Sequence, residues 1–226
     1  RIEPPLHPNG GEKILEDFGL YPEEFKESEF DSYVNTLLVE NSGKTTEGIF
    51  APWMVYKKDI QSIGGHDPIM HSCREDSDLF NRFVLNGFSL IQSWDSLVYH
   101  LTGRGAGSFD GDSERHEKWK RDMNNSTKEF IRKWGCNVKH TKMMKPIVPH
   151  KYDIQFRIFN ANEKILNVLE PWCNNIYVDI SQEKIDEYIK LEQPNTQFNL
   201  SERINQEADS DIIVRFDANK LTQNSF

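Results

Sequence analysis

Cysteine is scarce in this chain. It has three, Cys73, Cys136 and Cys173, odd in number and far apart. That count excludes a disulfide framework and a zinc-ligand pattern, and it points to a reduced, cytoplasmic setting. Long apolar runs are also missing: none approaches the roughly 20 residues that span a bilayer as a helix. Positive charge is in deficit, with 27 Lys and Arg against 36 Asp and Glu and a net charge of −9. Such a balance argues against a nucleic-acid backbone or an anionic membrane as the main partner. It leaves room for a nucleotide-sugar, whose diphosphate needs only a metal and a few local cations. Internal repeats and low-complexity runs are absent. What the chain does have is 37% hydrophobic and 12% aromatic residues among 226. That suits one good core, or one medium and one small core.

The pattern along the chain predicts an α/β protein in two parts. The opening Arg1-Ile2-Glu3-Pro4-Pro5-Leu6-His7-Pro8 is proline-rich and extended, and reads as the exit from a preceding segment. Residues 12–18 and 22–38 are predicted as helices. The apolar run 48–57 is predicted as a buried strand leading into a helix at Lys58-Asp59, followed by a loop at Ile63-Gly64-Gly65-His66-Asp67. Apolar residues at 79, 80, 83 and 84 predict a short amphipathic helix that stops at Asn86-Gly87. Short strands are expected at 88–91 and 97–100. A glycine-rich stretch follows at 102–108, then a polar helical region over 114–134 with a restart at the capping box Ser126-Thr127-Lys128-Glu129. Residues 140–150, with two prolines, read as a linker. Beyond it strands at 152–159, 175–179 and 211–216 alternate with helices at 161–169 and 182–191, a small α/β unit. The expected division is 1–147 and 148–226.

Chemistry is concentrated at Glu75-Asp76-Ser77-Asp78. Carboxylates in a first helical turn are favoured by the free N–H groups and the helix dipole, and caps are commoner there than catalysts. A carboxylate held rigidly at a cleft edge can also take the proton of an attacking hydroxyl. Local pattern alone leaves both readings open.

The wider context narrows them. Ile63-Gly64-Gly65-His66-Asp67, then Glu75-Asp76-Ser77-Asp78-Leu79-Phe80-Asn81-Arg82, then Gly87-Phe88 resembles the acceptor-side segment of inverting GT-A glycosyltransferases of family 2. It is more loosely similar to the β-1,4-galactosyltransferase group. Order, spacing and residue types agree over about a quarter of the chain, from Gly48 to His100. The resemblance implies that residues 1–147 are the acceptor-side part of a GT-A domain. Asp76 is then the general base and Glu75 the holder of the acceptor hydroxyl or orienter of the base. Asp78 and Arg82 brace the helix and loop. Gly64, Gly65, His66, Trp53 and Arg104 contribute to substrate binding, with Trp94 and His71 as further lining groups. His100 becomes a ligand for Mn²⁺ or Mg²⁺. The implied partners are a nucleotide-sugar donor and a carbohydrate or glycosylated acceptor.

A GT-A domain also needs a nucleotide-binding half with an Asp-x-Asp motif ahead of this region, and the resemblance implies that such a half precedes Arg1. The matches Asp110-Gly111-Asp112 and Asp209-Ser210-Asp211 are of a length expected by chance in an acidic chain. Two other classes compete: a non-catalytic carbohydrate-binding or assembly module, and a metal-dependent hydrolase built on the carboxylates. The second lacks a further histidine at ligand-like spacing from His100.

Overall fold

The computed structural model describes residues 1–7, 10–71, 73–102 and 113–221. The protein is a mixed α/β chain with small parallel and antiparallel sheets. It divides into two compact units: Arg1–His66, Asp76–Lys120 and Lys139–Ile147 form the first, and Asp67–Glu75, Arg121–Val138 and Val148–Phe226 the second. No helix among the described residues is long and apolar enough to cross a membrane.

In unit one, β1 (Ile2–Glu3) pairs in parallel with β2 (Ile14–Leu15). The stretch 12–18 therefore supplies a strand rather than the predicted helix. Its Glu12-Lys13 pair is drawn into a buried ionic cluster around Glu3, which local helix propensity cannot foresee. The predicted helix 22–38 becomes a single 3-10 turn, Pro22–Glu24, and then α1 (Glu27–Glu40). Around its start Phe18, Phe25, Phe30 and Tyr99 form a ring cluster with centroids 5.4 to 5.9 Å apart. The Tyr99 hydroxyl accepts from the Phe18 N–H and donates to the Gly19 carbonyl, so the buried end of this ring is satisfied.

β3 (Thr45–Glu47) pairs antiparallel with β4 (Ile91–Ser93). The apolar run after β3 is not the predicted strand but an irregular segment leading to α2 (Lys57–Ser62). Its first residue, Gly48, has φ +147°, and a Cβ there would lie 1.7 Å from the Met143 carbonyl oxygen. Close backbone approach, not strand pairing, sets this stretch. α3 (Glu75–Leu85) buries Leu79, Phe80 and Phe83 against Ile49, Trp53, Val55, Ile60, Ile63, Phe88 and Leu90. Residues 97–100 contribute an isolated bridge from Tyr99 to Ile2 rather than a strand. α4 (Ser113–Trp134) is continuous through Ser126, so the predicted restart does not occur; Ser126 is buried within the helix. Gly135, at φ +70°, follows its last residue.

Unit two is built on three parallel strands, β5 (Ile154–Phe159), β6 (Asn175–Val178) and β7 (Ile212–Asp217), in the order β6-β5-β7. Helices α5 (Glu163–Leu169) and α6 (Gln182–Glu192) pack on one face. Ile158, Ile176, Val178, Leu166, Ile185, Leu200 and Ile204 form the core there, each at most 2% exposed. The Asn162 side chain accepts from the Ile165 N–H and caps α5. Cys173 lies in the same core, and burial pushes its thiol pKa up to about 12, which makes it an inert buried cysteine.

Candidate active site

The site in unit one is assembled by α3 and the loop before it. Leu79, Phe80 and Phe83 anchor one stripe of α3 in the apolar cluster, and this fixes the direction in which Asp76 and Asp78 leave the helix. Asp78 is fully buried and accepts from Arg82 Nε at 2.9 Å, one helical turn on. The other two guanidinium nitrogens of Arg82 donate to the carbonyls of Ile63 and Gly65, each at 2.6 Å. One planar fork thus ties the helix to the glycine loop. Gly64 and Gly65 sit at φ +87° and +70°, and a Cβ on either would meet nothing closer than 4.0 Å. Left-handed backbone, not crowding, is what calls for glycine at this turn.

Arg82→Lys keeps the charge but cannot reach all three acceptors. We expect a loss of about 1–3 kcal/mol from the carbonyls left unmatched. Urea denaturation measures it, and an unshifted midpoint would mean that the loop is held by other contacts.

Asp76 is half-buried. Burial raises its carboxyl above the ordinary value of 3.8, opposed by the charge of His66 and by a hydrogen bond from the Trp53 side chain. The Trp53 ring packs edge-on against Phe80 at 5.8 Å and lies 6.2 Å from the exposed His66 ring. Trp53 is therefore both a core residue and a neighbour of the carboxylate. Asp76, His66, Trp53, Gly64 and Gly65 belong to one unit; Trp53 and His66 stand beside Asp76, and the glycine turn is held through Arg82. Glu75 falls in unit two, and its Oε2 is buried with no hydrogen-bond partner. Asp67, the last residue of the glycine-loop motif, also belongs to unit two, where it accepts from Lys133 at 2.8 Å and from Gln197 at 3.3 Å. Arg104 lies outside the described residues, as do Asp110 and Asp112. Trp94 donates its indole N–H to Thr46 in β3, and His71 is exposed in unit two.

His100 sits elsewhere in unit one, next to a cluster that the sequence did not announce. Its Nδ1 is 3.3 Å from Glu3 Oε2 and 3.2 Å from Thr102 Oγ1. Glu3 is 1% exposed and also receives Arg1 and Lys13. Burial works against the Glu3 carboxylate, but the hydrogen bonds from Lys13, Arg1 and His100 outweigh it and hold its pKa at about 2. His100 is half-exposed and its Nδ1 is turned toward a carboxylate, which orients the ring. Among the described residues no three His, Cys, Asp or Glu come together as a metal cage.

No family model, no curated protein and no solved structure matches the chain.

Proposed function

We propose that unit one is the acceptor half of an inverting GT-A-type glycosyltransferase, with Asp76 as general base. The observation that carries the reading is the construction around Asp76. A half-buried carboxylate with a raised pKa stands at the start of an anchored helix, beside an exposed imidazole and an indole N–H, next to a glycine loop clamped by Arg82. A carboxylate tuned upward by burial is a better proton acceptor than an exposed one. It would take the proton of an acceptor hydroxyl as that oxygen attacks the anomeric carbon and the nucleotide diphosphate leaves. Trp53 would orient the carboxylate and offer an apolar wall to the acceptor sugar, and His66 would form its polar rim. The resemblance of residues 48–100 to family 2 supports the same assignment. It also implies a separate donor half and Mn²⁺ or Mg²⁺, for which His100 would be one ligand.

The test is release of nucleoside diphosphate from a panel of nucleotide-sugars, with Mn²⁺ or Mg²⁺ and saccharide acceptors, by the natural full-length polypeptide. Acceptor-dependent release from one donor is the expected result. Saccharide binding without any release would favour a carbohydrate-binding module instead.

A further inference from the structure

We infer that unit two carries a nucleotide-binding face of its own, at the carboxyl ends of β5 and β7 and on the side of the sheet away from α5 and α6. The strand order supplies the first observation. From β5 the chain steps to β6 and then to residues 203–205, which run parallel beside β6 through Ile176–Ile204 and the paired amides of Asn205 and Val178. It then returns to the opposite side of β5 as β7. This reversal of direction at β5 makes the carboxyl ends of β5 and β7 a topological switch point. Open parallel sheets bind their ligands at such a switch point.

Side-chain chemistry on that face is the second, independent observation. The pleat sends Ile154, Phe156 and Ile158 to the helix-covered core, and therefore Arg157 and Phe159 to the other side. Register places Tyr177 and Arg215 on either side of Arg157, and Asp217 beside Phe159. Two arginines thus stand opposite each other on neighbouring strands, an arrangement that repels unless an anion lies across it. Arg157 donates through Nε to Gln155, while exposed Arg215 has no ion-pair partner among the described residues. Phe159 and Tyr177 are 47% and 44% exposed, a large fraction for aromatic residues in a sheet centre and its neighbour. At the rim, Asp217 is held through Oδ1 by the Asn160 amide and the Asn219 N–H. That leaves its Oδ2 for hydroxyl groups.

Guanidinium groups, aromatic faces and a fixed carboxylate in two adjacent rows of one sheet face suit a ligand that is anionic, aromatic and hydroxylated at once. A nucleoside diphosphate has those parts: phosphates for Arg157 and Arg215, a base for Tyr177 and Phe159, a ribose for Asp217. The site lies wholly in unit two and does not depend on the role of Asp76.

Calorimetric titration of the full chain with UDP, GDP, uridine and inorganic pyrophosphate tests it. Nucleoside diphosphates should bind more tightly than uridine or pyrophosphate. Arg215→Ala should weaken the diphosphates and pyrophosphate alike by about ten- to a hundredfold. Tyr177→Ala should weaken the nucleotides by about two- to tenfold and leave pyrophosphate unchanged. Both side chains are exposed, and unchanged urea midpoints would verify the fold. Asp76→Asn should bind nucleotide as the parent does, so a failure of the transfer reading leaves this result standing. Absence of nucleotide binding at about 1 mM, a preference for oligonucleotide over mononucleotide, or parent-like affinity in both variants would overturn the inference.

Discussion

If unit one is the acceptor half we propose, Asp76→Asn should lower sugar transfer by about a hundred- to ten-thousand-fold, the range that a positioned general base contributes, without unfolding the protein. Asparagine fills the same volume and can still accept from the Trp53 side chain, but it cannot take a proton. The stability side has a definite sign. A carboxyl whose folded pKa is raised binds its proton more tightly when folded, so its contribution to stability is best at low pH and declines as pH rises through the folded value. Once ionised, the half-buried Asp76 is therefore a mild cost, and above its folded pKa the amide should be as stable as the parent or slightly more so. Activity has the opposite dependence: it needs the ionised form, so the acidic limb of the pH–rate profile should fall above the ordinary carboxylate value of 3.8. Transfer assays across pH, paired with urea melts, read both effects. A variant that transfers at near-parent rate sinks the base assignment, and a variant that loses activity only through a lowered melting midpoint would make Asp76 a structural residue.

Glu170→Ala should be the most destabilising single change in unit two, by about 3–5 kcal/mol, as for other buried ion pairs broken from one side. Glu170 is fully buried and accepts from Arg132 Nε at 3.0 Å and Nη2 at 2.6 Å, from Arg203 Nε at 3.1 Å and from the Tyr188 hydroxyl at 3.1 Å. Removing it leaves two guanidinium groups facing a cavity. Arg132 retains Glu192 at 2.7 Å and Glu129 at 3.6 Å, so the greater loss falls on Arg203. Burial alone would push the Arg132 pKa down, but Glu170 and Glu192 hold it up, and the group stays charged at any pH in use. With a total stability of about 5–15 kcal/mol for a typical domain, such a loss is a large share. Glu170→Gln keeps the shape and a hydrogen-bond acceptor but loses the charge, and should fall between the parent and Glu170→Ala. Urea unfolding of the three proteins measures the series. Equal midpoints for parent and Glu170→Ala would show that the ionic cluster adds nothing net, as happens where desolvation cancels attraction.

How much of the fold is legible in the residues alone depends on the range of the interaction. α3 can be read from apolar residues at 79, 80, 83 and 84, and the structure places it at Glu75–Leu85. The alternation of strand and helix beyond residue 150 is likewise visible, and its three strands and two helices stand where the pattern puts them, within a residue or two at each end. The departures have a common cause. Residues 12–18 have helix-compatible composition, but β1 and the buried Glu3 offer their backbone and Lys13 better partners. Residues 48–56 have strand-like composition, but no neighbouring strand pairs with them and Met143 comes too close at Gly48.

For the candidate site, it is the resemblance to family 2 that nominates Asp76 and Glu75 for chemistry; residue types and spacing by themselves mark only the acidic helix start, the glycine pair and the Asp78–Arg82 pair. These are local matters: a helix start, a left-handed turn, an i to i+4 pair. Only the folded chain shows that Trp53, 23 positions before Asp76, lies beside it, that Asp67 turns instead to Lys133, and that His100 rests on Glu3. The Arg132–Glu170 and Arg203–Glu170 pairs, 38 and 33 residues apart, are equally invisible in the sequence. The sequence by itself determined the class of α3 and of the elements beyond residue 150, because periodicity and capping act over a few residues. The tertiary structure decided which charges are buried together and which carboxylate is tuned, because burial and ion pairing depend on contacts between segments that no local pattern encodes.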